Sequence, residues 1–450
     1  MTHAFLSTRI VTPEGTRPGA LVVEGQRIRT ICAAAEVPSD AVRHNCGTAA
    51  ILPGLVDTHV HINEPGRTEW EGFWTGTRAA AAGGYTTIVD MPLNCLPETT
   101  TVAALEAKRA AAAGKCFVDW AAWGGAVSDN QDHILPLARA GVPGFKCFLI
   151  YPGCDGFGMI DRAQLEASLP AIAESGLPLL VHAELAGPID AACARLVGEG
   201  ADWREYATYL ASRPDEAEVQ AIELLLALCR RYRFRLHIVH LATCLAVPAI
   251  ARAKEEGLPV TVETCPHYLH FAAEDVAPSQ TLLKCAPPIR DRANREALWQ
   301  ALADGVIDLV ATDHSPCPPE MKESGGRFDR TWGGIASLSV ALAVMHTECR
   351  SRGYDLGRMV QWMGTAPAGL AGISDRVGAL VPGRDASFTI FDTEAERTVT
   401  ADALHTRHAI SPYVGERLTG RVQATYLRGA CVWSGNGFEE QPRGREITLC

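Results

Sequence analysis

The sequence predicts an α/β protein: a (β/α)8 TIM-like barrel with a small β-sandwich domain formed from both chain ends. Three observations predict it. Eight short apolar runs alternate with longer helical patterns from residue 51 to about 320, and the runs are nearly continuous in hydrophobicity, as parallel strands covered on both faces are. Several of the helical patterns end in Gly before the next apolar run, as a helix entering an αβ loop should. The two ends of the chain have another texture, short β-type runs punctuated by Gly and Asp.

The eight strands are expected in the runs GLVDTHVHI (54–62), YTTIVDMPL (85–93), VDWAAWGG (118–125), GFKCFLIY (144–151), PLLVHAE (178–184), FRLHIVHLA (234–242), VTVETCPHY (260–268) and IDLVATDHS (307–315). Between them, residues 97–114, 161–176, 215–232 and 291–305 have helical spacing and composition. The runs AFLSTRIVT and GALVVEGQRIRTICAA near the start, and GALVPGRDASFTIFD and GRVQATYLRGACVW near the end, are expected to fold together. The expected domains are therefore a small β domain from 1–52 and 376–450, and a barrel over 53–375.

With 47% hydrophobic and 21% charged residues in 450, the composition is that of a globular protein with a large core. A net charge of −11 and the lack of a Lys/Arg run argue against nucleic acid, whose binding needs a basic patch. No signal-like segment and no apolar window of spanning length is seen, so no membrane partner and a cytoplasmic location are expected. The 15 cysteines are odd in number and form no C-x-x-C pair, so they are expected to be reduced, mostly buried thiols.

In DTHVHINEPG (57–66), His59 and His61 stand two apart, so in an extended strand their imidazoles leave the same face side by side. In a barrel of this type the chemistry gathers at the C-terminal ends of the strands. Those ends carry Lys146 in an apolar run, His182, a pair His237 and His240, and Asp313. Each alone has an ordinary explanation: a satisfied core histidine, a snorkelling lysine, a capping aspartate. Five of eight strand ends delivering a ligand-type group is a far less ordinary coincidence. His237 and His240, three apart, face opposite ways on a strand; His240 is the expected ligand and His237 a packing or outer group. Nitrogen and carboxylate ligands without a thiolate point to zinc or another divalent first-row metal.

DTHVHINEPG, GFKCF, LLVHAE, IVHLAT and ATDHSP, in this order, resemble the cyclic amidohydrolases, the group that contains dihydroorotases, hydantoinases and allantoinases. The resemblance covers essentially the whole chain. It implies two metal ions, with His59 and His61 on one, His182 and His240 on the other, Lys146 bridging both as a carbamate, and Asp313 beside the first. It also implies a hydroxide shared by the metals that attacks a ring amide. Asp313 is then expected to act as general base and then general acid. A homo-oligomer, dimer or tetramer, is expected by the same resemblance.

The substrate follows from finer differences. Dihydroorotases carry Arg two positions beyond the second histidine to hold a carboxylate, where this chain has Asn63. A neutral cyclic ureide is therefore expected. The runs EPGRTEWEGFWTGTRAAAAGGYTT, DMPLN, KCAPPIRD, DHSPCPPEMK, WGGIAS and SPYVGERLTG resemble the allantoinases more closely than their relatives. That resemblance implies hydrolysis of allantoin to allantoate, with contacts from Asn94, Ser315, Cys285, Gly334 and backbone groups of 287–289; Ala286 stands where Ser is usual. Tyr151, five beyond Lys146, is where hydantoinases place an oxyanion donor, which keeps a hydantoinase or dihydropyrimidinase activity as the alternative. A non-catalytic scaffold of the same fold is disfavoured because all six ligand positions are intact.

Overall fold

In the computed structural model, which describes residues 1–154 and 156–449, eight parallel strands form the barrel. They are β1 (Leu55–Val60), β2 (Tyr85–Asp90), β3 (Asp119–Ala122), β4 (Phe145–Phe148), β5 (Leu179–His182), β6 (Leu236–Ile238), β7 (Val260–Thr264) and β8 (Leu309–Val310). Hydrogen bonding runs β1-β2-β3, then from the pair Gly124–Gly125 through β4-β5-β6-β7-β8. The third strand bends at Trp123, so its first half pairs with β2 and its continuation with β4. The ring is completed by a parallel bridge between Val60 and His314, where His61 N donates to the His314 carbonyl at 2.8 Å.

The strands are shorter than the apolar runs that predict them. The chain leaves the ladder just beyond β6 and β8 to aim side chains inward, and His240 and Asp313 do so at φ +39° and +45°. Inside the ring, Val56, Val89, Ala121, Leu180 and Leu309 join Leu370 and Ile373 in one apolar cluster. The helices outside are set by local signals in the chain. In Arg162–Ser175, Asp161 accepts from Gln164 N at 2.8 Å, and Gly176 ends the helix in the left-handed region at φ +68°.

Strands from both chain ends make one hydrogen-bonded sheet of eight. Ala50–Pro53 pairs antiparallel with Phe388–Thr398, with Ile51 opposite Ile390, so the first and last parts of the chain are joined edge to edge. The sandwich-like character comes from a fork: Thr2–Thr12 pairs through its first half with Val42–Asn45 and through its second with Ala50–Pro53. The sheet is fastened to the barrel where Thr425 Oγ1 donates to the Ala81 carbonyl at 2.7 Å and Thr389 Oγ1 to that of Gly84 at 2.8 Å. Every described cysteine is free; Cys450 lies outside the described residues. No described helix is long and apolar enough to cross a membrane.

Candidate active site

His59, His61, Lys146, His182, His240 and Asp313 come from five strands and line one cavity at the C-terminal ends of the barrel. Asp313 Oδ1 lies 3.2 Å from His59 Nε2 and 3.4 Å from His61 Nε2. His182 Nδ1 and His240 Nε2 are 3.0 Å apart. Lys146 Nζ is buried with no hydrogen-bond partner and sits 4.7 Å from the centre of the Phe148 ring, which is also stacked on His182.

Burial dominates the electrostatics. It pushes the imidazoles of His61, His182 and His240 down, so they are neutral and offer lone pairs. It also pushes Lys146 down to about 8, against the Glu263 and Asp313 carboxylates that favour its charge. Asp313 is driven up by burial, but His59, a hydrogen bond from His61, and His240 outweigh this and hold it well below the usual carboxylate range. The result is a cleft in which the imidazoles of His61, His182 and His240 are neutral beside an ionised carboxylate.

This donor set suits divalent metal. His59, His61 and Asp313 each turn one ligand atom into a group spanning no more than 4.8 Å. His240 Nδ1 and Lys146 Nζ are buried without partners, a state that an isolated protein interior penalises.

Residues 50–432 match the Amidohydrolase family. The chain belongs to the amidohydrolase family. It is similar to the allantoinase of Streptomyces avermitilis, 48% identical over 443 residues that cover 98% of this chain and 97% of that one. It is 43% identical to the allantoinase of Saccharomyces cerevisiae, over 90% of this chain and 87% of the other. Among solved structures it resembles the L-hydantoinase of Arthrobacter aurescens, with a TM-score of 0.94, 31% identity and full coverage of both chains.

The positioning groups of this amidohydrolase cleft were only partly visible in the sequence. Glu263, on β7, bonds His59 Nδ1 with one oxygen and His237 Nε2 at 3.1 Å with the other, so His237 supports the cleft from beneath. It shares the inward face with Leu180, contrary to the expected opposite orientation, because His240 leaves the strand at φ +39° instead of continuing it. A carboxylate inside the apolar run VTVET is the signal that would have found it. Glu184 accepts from His182 Nε2 at 2.7 Å and is held by Arg213 Nε at 3.1 Å. Asp57 accepts from the amides of His59 at 3.0 Å and Thr312 at 3.3 Å, tying β1 to the segment that carries Asp313.

The expected substrate contacts divide. Asn94, Cys285, Ser315 and Gly334 line the cavity with Leu93, Ala286, Trp332 and Gly333. Asn94 Nδ2 lies 3.3 Å from His61 Nδ1, and its Oδ1 is buried without a partner. Gly334 is dictated by space: a Cβ there would stand 2.5 Å from the Ser315 carbonyl oxygen. Tyr151 is 57% exposed and does not itself line the cavity, although its neighbour Pro152 does. Asn63 does not line the cavity; it is buried at φ +65° and its Nδ2 is 3.4 Å from the Pro316 carbonyl. Arg290, a basic group of the allantoinase-like run KCAPPIRD, is paired with Glu218 at 2.7 Å.

Sequence reasoning missed Lys322. Its buried ammonium donates to the carbonyls of Gly334 at 2.6 Å, Trp332 at 2.9 Å and Lys284 at 3.3 Å. Gly334 N in turn donates to the Lys284 carbonyl at 2.9 Å. One cation thus staples the 332–334 wall of the cavity to the 284–286 wall.

Proposed function

We propose that this chain opens the ring of allantoin by hydrolysing its amide, giving allantoate. The observation that carries this is the neutrality of the cavity wall. Among the described lining residues Lys146 is the one Lys or Arg, and the surface presents amide, hydroxyl and main-chain groups suited to a ureide without a carboxylate. The high identity to two curated allantoinases supports the same substrate. The catalytic unit is the barrel, 53–375, with 1–52 and 376–450 as the two-part small domain.

His59 and His61 would hold one divalent ion, zinc being the best match, and His182 and His240 a second, with Lys146 as a carbamate between them. Bound there, such ions supply Lewis-acid polarisation of the ring carbonyl and lower the pKa of a shared water. Carbamylation would account for Lys146: addition of carbon dioxide to its neutral amine, with release of one N–H proton, turns a partnerless buried base into an anionic ligand. Asp313, ionised and within 3.5 Å of two imidazoles, is placed to take the proton of the attacking water and return it to the leaving ring nitrogen. Asn94, Ser315, the Cys285 segment and Gly334 orient the ring.

A hydantoinase activity is the second reading, favoured by the hydantoinase structure it resembles and by Tyr151, the neighbour of the cavity-lining Pro152. Incubating purified protein with allantoin and following ring opening by carbon-13 NMR tests the proposal. Allantoate should accumulate, and chelation should stop it until divalent metal is restored. No ring opening by metal-replete protein would overturn it.

A further inference from the structure

A second cavity, of about 660 Å³, lies against the helix Phe73–Ala82 and three strands of the terminal sheet, Phe388–Thr398, Arg417–Leu427 and Ala430–Trp433. It shares no lining residue with the catalytic cavity. Its wall holds Arg78, Arg397 and Arg421, and none of the three has an ion-pair or side-chain hydrogen-bond partner among the described residues. In a chain where Asp and Glu outnumber Lys and Arg by 52 to 41, three unmatched arginines in one space are out of pattern.

The unmatched groups are all donors. The Nε–H groups of Arg78 and Arg397 and the indole N–H of Trp433 are buried without an acceptor, and Trp433 is only 9% exposed. Buried donors are nearly always paired, so three of them around one space mark a missing acceptor. The acids at the wall do not supply it: Glu396 is bonded to Arg417, and Asp402 is exposed. Burial and the neighbouring Arg421 push the Arg397 guanidinium down, and burial with Arg78 and Arg397 does the same to His405. Beside the cations stand two aromatic rings tilted 42° to each other. Trp433 and Phe438 have ring centres 4.5 Å apart, and the Arg78 guanidinium lies 4.2 Å from the centre of Phe438.

We propose that this cavity is a binding site for a small organic oxyanion, a carboxylate or phosphate carried on a flat ring. Arg78, Arg397 and Arg421 take the anion, for which the guanidinium fork is suited, and Trp433 and Phe438 take the ring. The volume falls within the range of small-molecule sites.

Calorimetric titration of the full-length, metal-loaded protein with adenosine monophosphate, nicotinate and inorganic phosphate tests this. Saturable binding of one of the two organic anions per chain is expected, at least tenfold weaker in Arg397→Met and Arg78→Met. Whichever organic anion binds decides between phosphate and carboxylate. Phosphate alone binding as strongly as both would remove the aromatic wall from the site and overturn the proposal in this form. Binding that survives both substitutions, or no saturable binding of any probe at millimolar concentration, would overturn it outright. Because an unpaired, desolvated cation does not stabilise a fold, Arg397→Met should keep or raise Tm. A fall of more than about 5 °C would assign the arginine to folding and contradict the proposal.

Discussion

Nδ1 of His182 stands 3.0 Å from Nε2 of His240, while Glu184 holds the opposite nitrogen of His182 at 2.7 Å. Neutral His182 therefore carries its proton toward Glu184 and keeps its Nδ1 lone pair for the cavity. Arg213 fixes Glu184 in turn, and this pairing overrides burial to hold the Glu184 carboxyl well below the usual carboxylate range. The strand ends deliver imidazoles whose free nitrogens are already oriented toward the cavity.

Glu184→Gln keeps the shape of that partner and loses the charge. Its affinity for divalent metal should fall about tenfold to hundredfold, read by competition with a chelator, while the far-UV circular dichroism stays unchanged. Unaltered metal affinity would show that Glu184 does not orient a ligand.

Lys146→Ala should lose bound metal and activity together, and short carboxylic acids should restore part of both by filling the gap. The wild-type lysine carries a pH signature. Only the neutral amine adds carbon dioxide, and with a pKa pushed down to about 8 the neutral fraction rises as pH increases through that value. Carbon-13 bicarbonate NMR of metal-free protein should show carbamylation growing from pH 6.5 to pH 8.5. A signal that is flat or falling over that interval would contradict this role.

Lys322→Met keeps the aliphatic stem but removes the ammonium that the carbonyls of Gly334, Trp332 and Lys284 share. A hydrogen bond to a charged group contributes about 1.5–3 kcal/mol, so kcat/KM should drop roughly tenfold to hundredfold as the 332–334 wall loosens. Metal content should stay at the wild-type level, which separates a loosened wall from a lost metal site. An unchanged kcat/KM would remove Lys322 from the positioning groups.

The barrel was legible because its strands are apolar runs separated by helical patterns. The cluster was legible because ligand-type side chains punctuate those runs at their ends. His240 was preferred to His237 for lying closer to the C-terminal end of its run, whereas strand parity did not carry through, since His240 leaves the ladder at φ +39°. What the sequence did not disclose depends on contacts distant along the chain: Glu263 meets His59 across 204 positions, and Lys322 reaches the Lys284 carbonyl across 38. Glu263 had a local sign, a charge in an apolar run, whereas Lys322 sits in a loop whose composition suggests only a turn. The single eight-stranded terminal sheet was hidden for a similar reason, since its fork depends on which half of Thr2–Thr12 each neighbour takes.

Substrate choice is decided by kcat/KM measured side by side on allantoin, hydantoin, dihydrouracil and dihydroorotate. With Asn63 buried against the Pro316 carbonyl and Arg290 committed to Glu218, neither supplies a carboxylate anchor. Allantoin should show the highest specificity constant, with dihydroorotate at least about tenfold to hundredfold below it, the effect of one missing charge-assisted anchor. A higher kcat/KM for dihydroorotate or for unsubstituted hydantoin than for allantoin would contradict the assignment.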